Sequence, residues 1–299
     1  VSADLILLID EPEAHLHPVA QKWLSSTVNQ MVEDGLQIVM STHSPYFVNI
    51  DFLDGIYLIR KKAGETIATN VSKKELADYC VSRGAPQDKV NENTVVPYYV
   101  KTATANLLRG FFANKIILVE GQTEEYALPI YLKEVGVDLL KEGIDIIPVF
   151  GKDFLAPWYR FFTAYGIPCY VIFDGDSNKN NSQDAKRKNQ ELLKTILGDD
   201  EALQIMTTLE RGTHSYDKAI IHDKFTMFFS DFEDTFRTWF SWYSELEGNL
   251  KEEMGFGDKT GKQFIAREVA KHICDLYPDE VRNRKELKLL KEKIEKLSQ

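Results

Sequence analysis

Apolar residues fall along this chain in short continuous runs, separated by longer stretches of helical period. "DLILLID" (residues 4–10) is such a run, and it reads as a strand buried on both faces. Residues 17–35, "HPVAQKWLSSTVNQMVEDG", follow as a helix, with Pro18 in its first turn and Gly35 as its stop. "QIVMSTHSP" (37–45) is a second strand ending in polar residues, and residues 54–72 form a hairpin turning at Ala63 and Gly64. Residues 73–112 mix helix and loop and read as a connector. Beyond it the alternation resumes, with strands at 115–121, 144–151 and 168–178 and helices at 123–136, 154–166 and 182–198. "FTMFFSDFED" (225–234) is a fourth strand of this unit, and 278–299 is one charged amphipathic helix. Within that helix Leu287, Leu290, Ile294 and Leu297 recur at helical spacing, which packs it on a neighbour in this chain or another. Strands alternating with helices imply an α/β fold with a mostly parallel sheet.

Composition narrows the class. The 299 residues suffice for two domains at about 150 residues each. No apolar run reaches the ~18 residues of a membrane span, and the N-terminus lacks the basic region of a signal peptide. A first residue that is not Met favours a fragment or processed chain. Cys80, Cys169 and Cys274 are scattered and make no CxxC pair, so neither a zinc site nor a disulfide framework is expected, and a reducing cytoplasm fits. A net charge of −10 argues against nucleic-acid binding over the whole surface, but not against a nuclease, since metal-holding acids count as negative until the ions bind.

The first chemical constellation is "LLIDEPE" followed by "STHSP". The C-terminal ends of parallel strands face the ligand crevice of such sheets. Asp10 there can hold magnesium, Glu11 can orient or deprotonate a water, and His43 on the neighbouring strand can hydrogen-bond a γ-phosphate. "LLIDEPEAHLHP" with "IVMSTHSP" resembles the Walker B, D-loop and switch-histidine segments of an ABC-type ATPase head of the kind found in OLD (overcoming lysogenisation defect) proteins. That resemblance implies a nucleotide site built on Asp10, Glu11 and His43, with Glu13, His15 and His17 facing a dimer partner. No GxxxxGK[ST] loop and no ABC signature occurs in the chain. Without the loop's amides and lysine, the phosphates lack their main counter-charge, so this chain alone is not expected to bind ATP well.

The second constellation is acidic. "KIILVEGQTEE" puts Glu120 at a strand end, with Thr123 as a helix cap and Glu124 in the first helical turn. "YVIFDGDSN" puts Asp174 and Asp176 at another strand end, on one side if the strand persists, with Gly175 permitting close approach. These acids converge if the two strands are parallel neighbours. Hard oxygen ligands suit Mg²⁺ or Mn²⁺, and two such ions can act on a phosphodiester. Glu233, ending the fourth strand, is a further candidate ligand, with Asp231 and Asp234 as competitors. Lys262, opening a helix, can stabilise developing negative charge. "LVEGxTEE" followed by "IFDGD" resembles the Toprim domain of topoisomerases, bacterial primases and OLD nucleases. The resemblance implies Glu120, Glu124, Asp174, Asp176 and Glu233 as metal ligands, and Glu120, Asp174, Asp176 and Lys262 as catalytic. "GKQ" departs from the Lys-Pro common in that family, which leaves Lys259 as an alternative to Lys262.

The order of an ABC-like head before a Toprim domain resembles the OLD family of ATP-linked nucleases, including the nuclease component of the Gabija antiphage system. It implies a head segment over 1–70, a connector over 71–112, a Toprim domain over 113–277 and a C-terminal helix over 278–299. It implies a Mg²⁺- or Mn²⁺-dependent DNA endonuclease under ATP control, acting as a homo-oligomer, with a helicase or defence protein as a possible partner. The competing readings are a non-catalytic regulatory or binding module of an ATPase complex, and a primase- or topoisomerase-like enzyme. Residues 199–224, with His214 and His222, carry no recognisable chemistry. The aromatics of 236–250 read as core or interface rather than as a base-stacking platform.

Overall fold

The computed structural model describes residues 5–62, 64–177, 182–210, 218–255 and 261–297. The chain begins with strand β1 (Ile6–Asp10), helix α1 (Pro18–Glu33) and strand β2 (Gln37–Ser41), then the hairpin β3 (Tyr57–Lys62) and β4 (Glu65–Asn70). Helices α2 (Lys73–Ser82), α3 (Val95–Thr102) and α4 (Ala105–Leu108) make the connector. The second unit runs β5 (Lys115–Val119), α5 (Gln122–Glu134), α6 (Leu139–Glu142), β6 (Ile144–Pro148), α7 (Lys152–Ala164), β7 (Cys169–Asp174), α8 (Ser182–Leu197) and α9 (Asp199–Glu210). It continues with β8 (Ala219–Ile221), β9 (Phe225–Phe228), α10 (Phe232–Trp239), α11 (Tyr243–Met254) and α12 (Lys262–Leu276), and closes with α13 (Pro278–Asn283) and α14 (Lys285–Lys296).

The α/β reading holds. Five strands form one sheet in the order β6-β5-β7-β9-β8, parallel except for β8, which pairs antiparallel with β9 at the edge. Alternate residues of each central strand serve opposite layers, as the two-residue period of a strand requires. Ile116, Leu118, Val171 and Phe173 pack with α7, α8 and the connector helices. Ile117, Val119, Tyr170 and Ile172 pack with α5, α12 and α14 on the other face. Of the 236–250 aromatics, Phe236, Trp239, Phe240 and Tyr243 are buried in the core, while Trp242 is exposed.

Several expectations need correction. β1 is not buried. It pairs in parallel with β2 alone, and Leu5, Ile6, Leu7 and Leu8 are exposed: α1 packs against β2 and half-covers the face of Ile9, Ile38 and Met40, while no layer among the described residues covers the face of Ile6, Leu8 and Val39. The C-terminal helix is two helices, broken at Arg284, whose ψ of 118° is extended. Leu287, Leu290 and Ile294 are buried against this chain's own core. β8 is a strand that the sequence pattern did not show. Thr123 does not cap α5; the cap position is Gly121, which makes no side-chain bond. Ala63 and His214 lie outside the described residues. His222 Nε2 lies 3.2 Å from the Glu201 carboxylate, an ordinary contact near the surface.

Candidate active site

The crevice lies where β5, β7 and β9 end together. β5 delivers Glu120, and α5 starts two residues later, so that Glu124 in its first turn folds back beneath the strand end. β7 is the parallel neighbour of β5 and delivers Asp174. The Glu120 Oε1 atom accepts a hydrogen bond from the Asp174 amide at 2.9 Å, and Asp174 Oδ1 accepts one from the Phe232 amide at 3.0 Å. The first acids of the two motifs are thereby tied to each other and to the start of α10.

Beyond Asp174 the strand does not persist. Gly175 passes against β9, where an added Cβ would lie 2.5 Å from the Phe229 carbonyl oxygen. Only glycine fits that approach. Asp176 takes a left-handed backbone (φ 57°), and its amide bonds to the Ser230 carbonyl at 2.8 Å. The pair therefore reaches one crevice through a turn rather than through strand alternation.

Glu233 is not at a strand end, as expected, but in the first turn of α10. β9 stops at Phe228, and Asp231 caps the helix by accepting from the Asp234 amide at 2.8 Å. Asp234 pairs with Lys218 at 3.1 Å. Of the three competing acids, Glu233 is the one buried in the crevice: it is 4% exposed, and its Oε1 has no hydrogen-bond partner. Its Oε2 lies 2.8 Å from the ammonium of Lys262, the first residue of α12. Lys259 lies outside the described residues.

Gathering these acids out of water raises the proton affinity of two of them. Burial, reinforced by the charges of Glu120 and Glu233, pushes the Glu124 carboxyl up to about 8. Burial and the surrounding acids, Glu124 first among them, hold Asp174 well above the ordinary carboxylate range. Burial works against the charge of Lys262, yet the Glu233 carboxylate keeps its ammonium above the usual lysine range.

A residue that the sequence reading missed sits among them. Lys152 opens α7 after Gly151, whose amide bonds to the Glu120 carbonyl oxygen at 3.0 Å. Its ammonium donates to the Asp174 carbonyl oxygen, to Asp176 Oδ2 and, at 3.2 Å, to Asn189 Oδ1. It lies 3.6 Å from Glu120 Oε1, and the side chain is 7% exposed. The signal was available: "FGK" follows β6 much as "EG" follows β5 and "DGD" ends β7.

Among the described residues, no three acid, histidine or cysteine side chains form a ready-made ion cage. Backbone amides and the two lysines hold the carboxylates apart. The donor chemistry nonetheless fits a hard divalent ion: the side chains are all carboxylates, Glu124, Asp176 and Glu233 are buried, and the buried Glu233 Oε1 is left unsatisfied.

The first constellation also assembles, but in the open. Asp10 accepts from the Ser41 hydroxyl across the β1–β2 pair, and Glu11 Oε1 lies 3.3 Å from His43 Nε2. The two side chains are 51% and 80% exposed respectively. Glu13 turns inward and accepts from the Thr42 hydroxyl at 2.7 Å and the His43 amide at 2.5 Å. Burial opposes its charge, but those bonds hold the carboxyl below its ordinary range. His17 caps α1 by accepting from the Val19 amide at 3.3 Å, so both residues have partners within the chain.

Fold and site together define a Toprim-type α/β domain behind a segment of an ATPase domain. Residues 111–176 match the family model for the overcoming lysogenization defect protein-like TOPRIM domain, and residues 2–48 match that of an AAA ATPase domain. The OLD nuclease of Thermus scotoductus is 25% identical over 209 residues, covering 69% of this chain and 38% of that protein. The Old nuclease of Escherichia phage P2 is 27% identical over 179 residues, covering 60% of this chain and 29% of that protein. The endonuclease GajA of Bacillus cereus is 22% identical over 209 residues, covering 64% and 29%. The chain thus spans between 29% and 38% of the length of these relatives. The resemblance to the OLD family drawn from the motifs is borne out by both segments.

Proposed function

We propose that this chain carries the nuclease centre of an OLD-type enzyme, hydrolysing DNA phosphodiesters with Mg²⁺ or Mn²⁺. The observation that carries the reading is the convergence of Glu120, Glu124, Asp174, Asp176 and Glu233 from four separate elements on one crevice, with Lys262 bound to Glu233. Toprim and ATPase domains generally use a divalent metal and ATP. Here Glu120, Asp174 and Asp176 would hold one ion, and Glu124 with Glu233 a second. Ions so held supply Lewis acidity to the attacking water and the departing oxygen. The residues of the chain do the rest. The Asp174–Phe232 and Glu120–Asp174 bonds fix the spacing of the acids. Burial favours the protonated form of Glu124, a proton that would have to leave for its carboxylate to hold an ion. Lys262, at the open end of the crevice, presents positive charge to the phosphoryl oxygens.

The exposed trio Asp10, Glu11 and His43 would serve a regulatory ATP site completed by residues outside this chain, in a homo-oligomer whose heads meet across the nucleotide. A role in phage defence or DNA processing, with a helicase or defence protein as partner, goes with that assembly. No helix among the described residues is long and apolar enough to cross a membrane. The test is nicking of supercoiled plasmid by this chain with Mn²⁺ or Mg²⁺ and no ATP, against Asp174→Ala. The expected result is metal-dependent nicking that the variant loses. No nicking with either metal, or equal nicking by the variant, would overturn the reading.

A further inference from the structure

Lys152 is surrounded as a metal ion would be. A buried ammonium is costly unless oxygens repay its lost hydration. Lys152 has four: the Asp174 carbonyl, Asp176 Oδ2, Asn189 Oδ1 at 3.2 Å and Glu120 Oε1 at 3.6 Å. Carboxylate, carbonyl and amide oxygens around one point are also the donor set that hard divalent cations take. The shell is built rather than accidental, since Asn189 is itself buried and anchored, its Nδ2 donating to the Gly175 carbonyl at 2.9 Å. Two of the four oxygens belong to Glu120 and Asp176, side chains assigned above to the first ion. One cation at a time can occupy that shell. A lysine head rides on a flexible four-carbon stem and can leave it, whereas the oxygens are fixed to strand ends and to α8.

We propose that Lys152 is a placeholder cation. In the metal-free chain it neutralises the Glu120–Asp176 side of the crevice and holds the Asp174–Asp176 turn in shape. Loading of the first ion is an exchange in which the ammonium withdraws from Asp176 and the ion takes its place. No covalent bond changes, and one positive charge leaves as two arrive. Lys152 is on this account a positioning residue that acts through Asp176, and it sets the concentration of metal at which the site fills. The inference rests on the nuclease reading of the same acids.

The experiment uses Lys152→Met and Lys152→Arg in the full chain, with Mn²⁺ as the probe. Removing the charge should lower the melting temperature without metal while tightening Mn²⁺ binding by about tenfold in calorimetry. The arginine variant, keeping the charge, should bind Mn²⁺ within about threefold of the parent. A lysine that is merely a structural strut would weaken both properties, so unchanged or weaker Mn²⁺ binding by Lys152→Met overturns the proposal. A measurement on the unaltered chain covers the case in which the variant does not fold. Amine acylation followed by mass spectrometry should show Lys152 more reactive with Mn²⁺ than without, and lower or equal reactivity would contradict the exchange. If the unaltered chain and both variants take up no Mn²⁺ at all, the nuclease reading itself has failed. If they bind Mn²⁺ with the order of affinities reversed, only the placeholder role has.

Discussion

β1 and β5 look alike as sequences and end up opposite as structures. "LILLIDE" and "IILVEG" are both continuous apolar runs that stop at an acid. Leu118 in β5 is 0% exposed, with a strand on each side and helices on each face, while Leu8 in β1 is 74% exposed and has β2 alone. The same contrast holds for the acids. Glu124 and Glu233 are buried, where charge is costly, whereas Glu11 and His43 face solvent, where a pair at 3.3 Å is worth little. An apolar run states that a strand wants cover, and which neighbours supply it is a property of the rest of the fold. Reactive chemistry follows the cover, because excluded water is what lets opposed charges and shifted proton affinities act.

The comparison can be pushed hardest through activity. Lys262→Gln should cut plasmid nicking by about a hundredfold while leaving Mn²⁺ affinity within a few-fold. Lys259→Gln assayed beside it should be near neutral. The reverse order would move the role to Lys259. Next in size is stability. Leu118→Ala should cost about 2–5 kcal/mol in urea unfolding, against about 0.5 kcal/mol or less for Leu8→Ala. Equal losses would mean that β1 is covered in solution by something this structure does not show.

Smaller and more diagnostic is the pH dependence. Glu124 is held near 8 in the fold against 4.5 ordinarily, so between those values the folded chain binds a proton that the unfolded chain releases. The stability of the metal-free protein should therefore be fullest below about 4.5 as far as this group is concerned, and should decline as pH rises toward 8. Mn²⁺ must displace that proton, so its apparent affinity should climb about tenfold per pH unit up to about 8 and then level. Glu124→Gln should flatten the stability slope. Asp10→Asn, at an exposed group, should leave both curves unchanged.

Much of the site was legible, for a local reason. Glu120, Asp174 and Glu124 are fixed by where a strand stops and a helix starts, and those boundaries are written in apolar runs and glycines. Asp176 was found by a wrong route: the crevice is reached by a left-handed turn that Gly175 and the β9 carbonyls impose, not by strand alternation. Glu233 was named while its element was misread: β9 stops at Phe228, and the local Asp231 cap, accepting from the Asp234 amide, opens a helix where a strand end was expected. Asn189 was missed because its partners, Lys152 and the Gly175 carbonyl, lie at separations that no local pattern encodes, whereas Lys152 was missed although "FGK" after β6 was there to read. The break at Arg284 was missed because Arg284–Leu290 all favour helix and only Asn283, a poorer helix former, marks the boundary.

The most direct measurement places Asp174→Ala and Asp10→Ala side by side in one metal-dependent plasmid-nicking assay without ATP. The chemistry assigned to the buried crevice predicts that Asp174→Ala loses nicking by about a thousandfold or more while Asp10→Ala retains nearly all of it. Loss in Asp10→Ala with activity kept in Asp174→Ala would contradict the account and return the chemistry to the exposed strand ends.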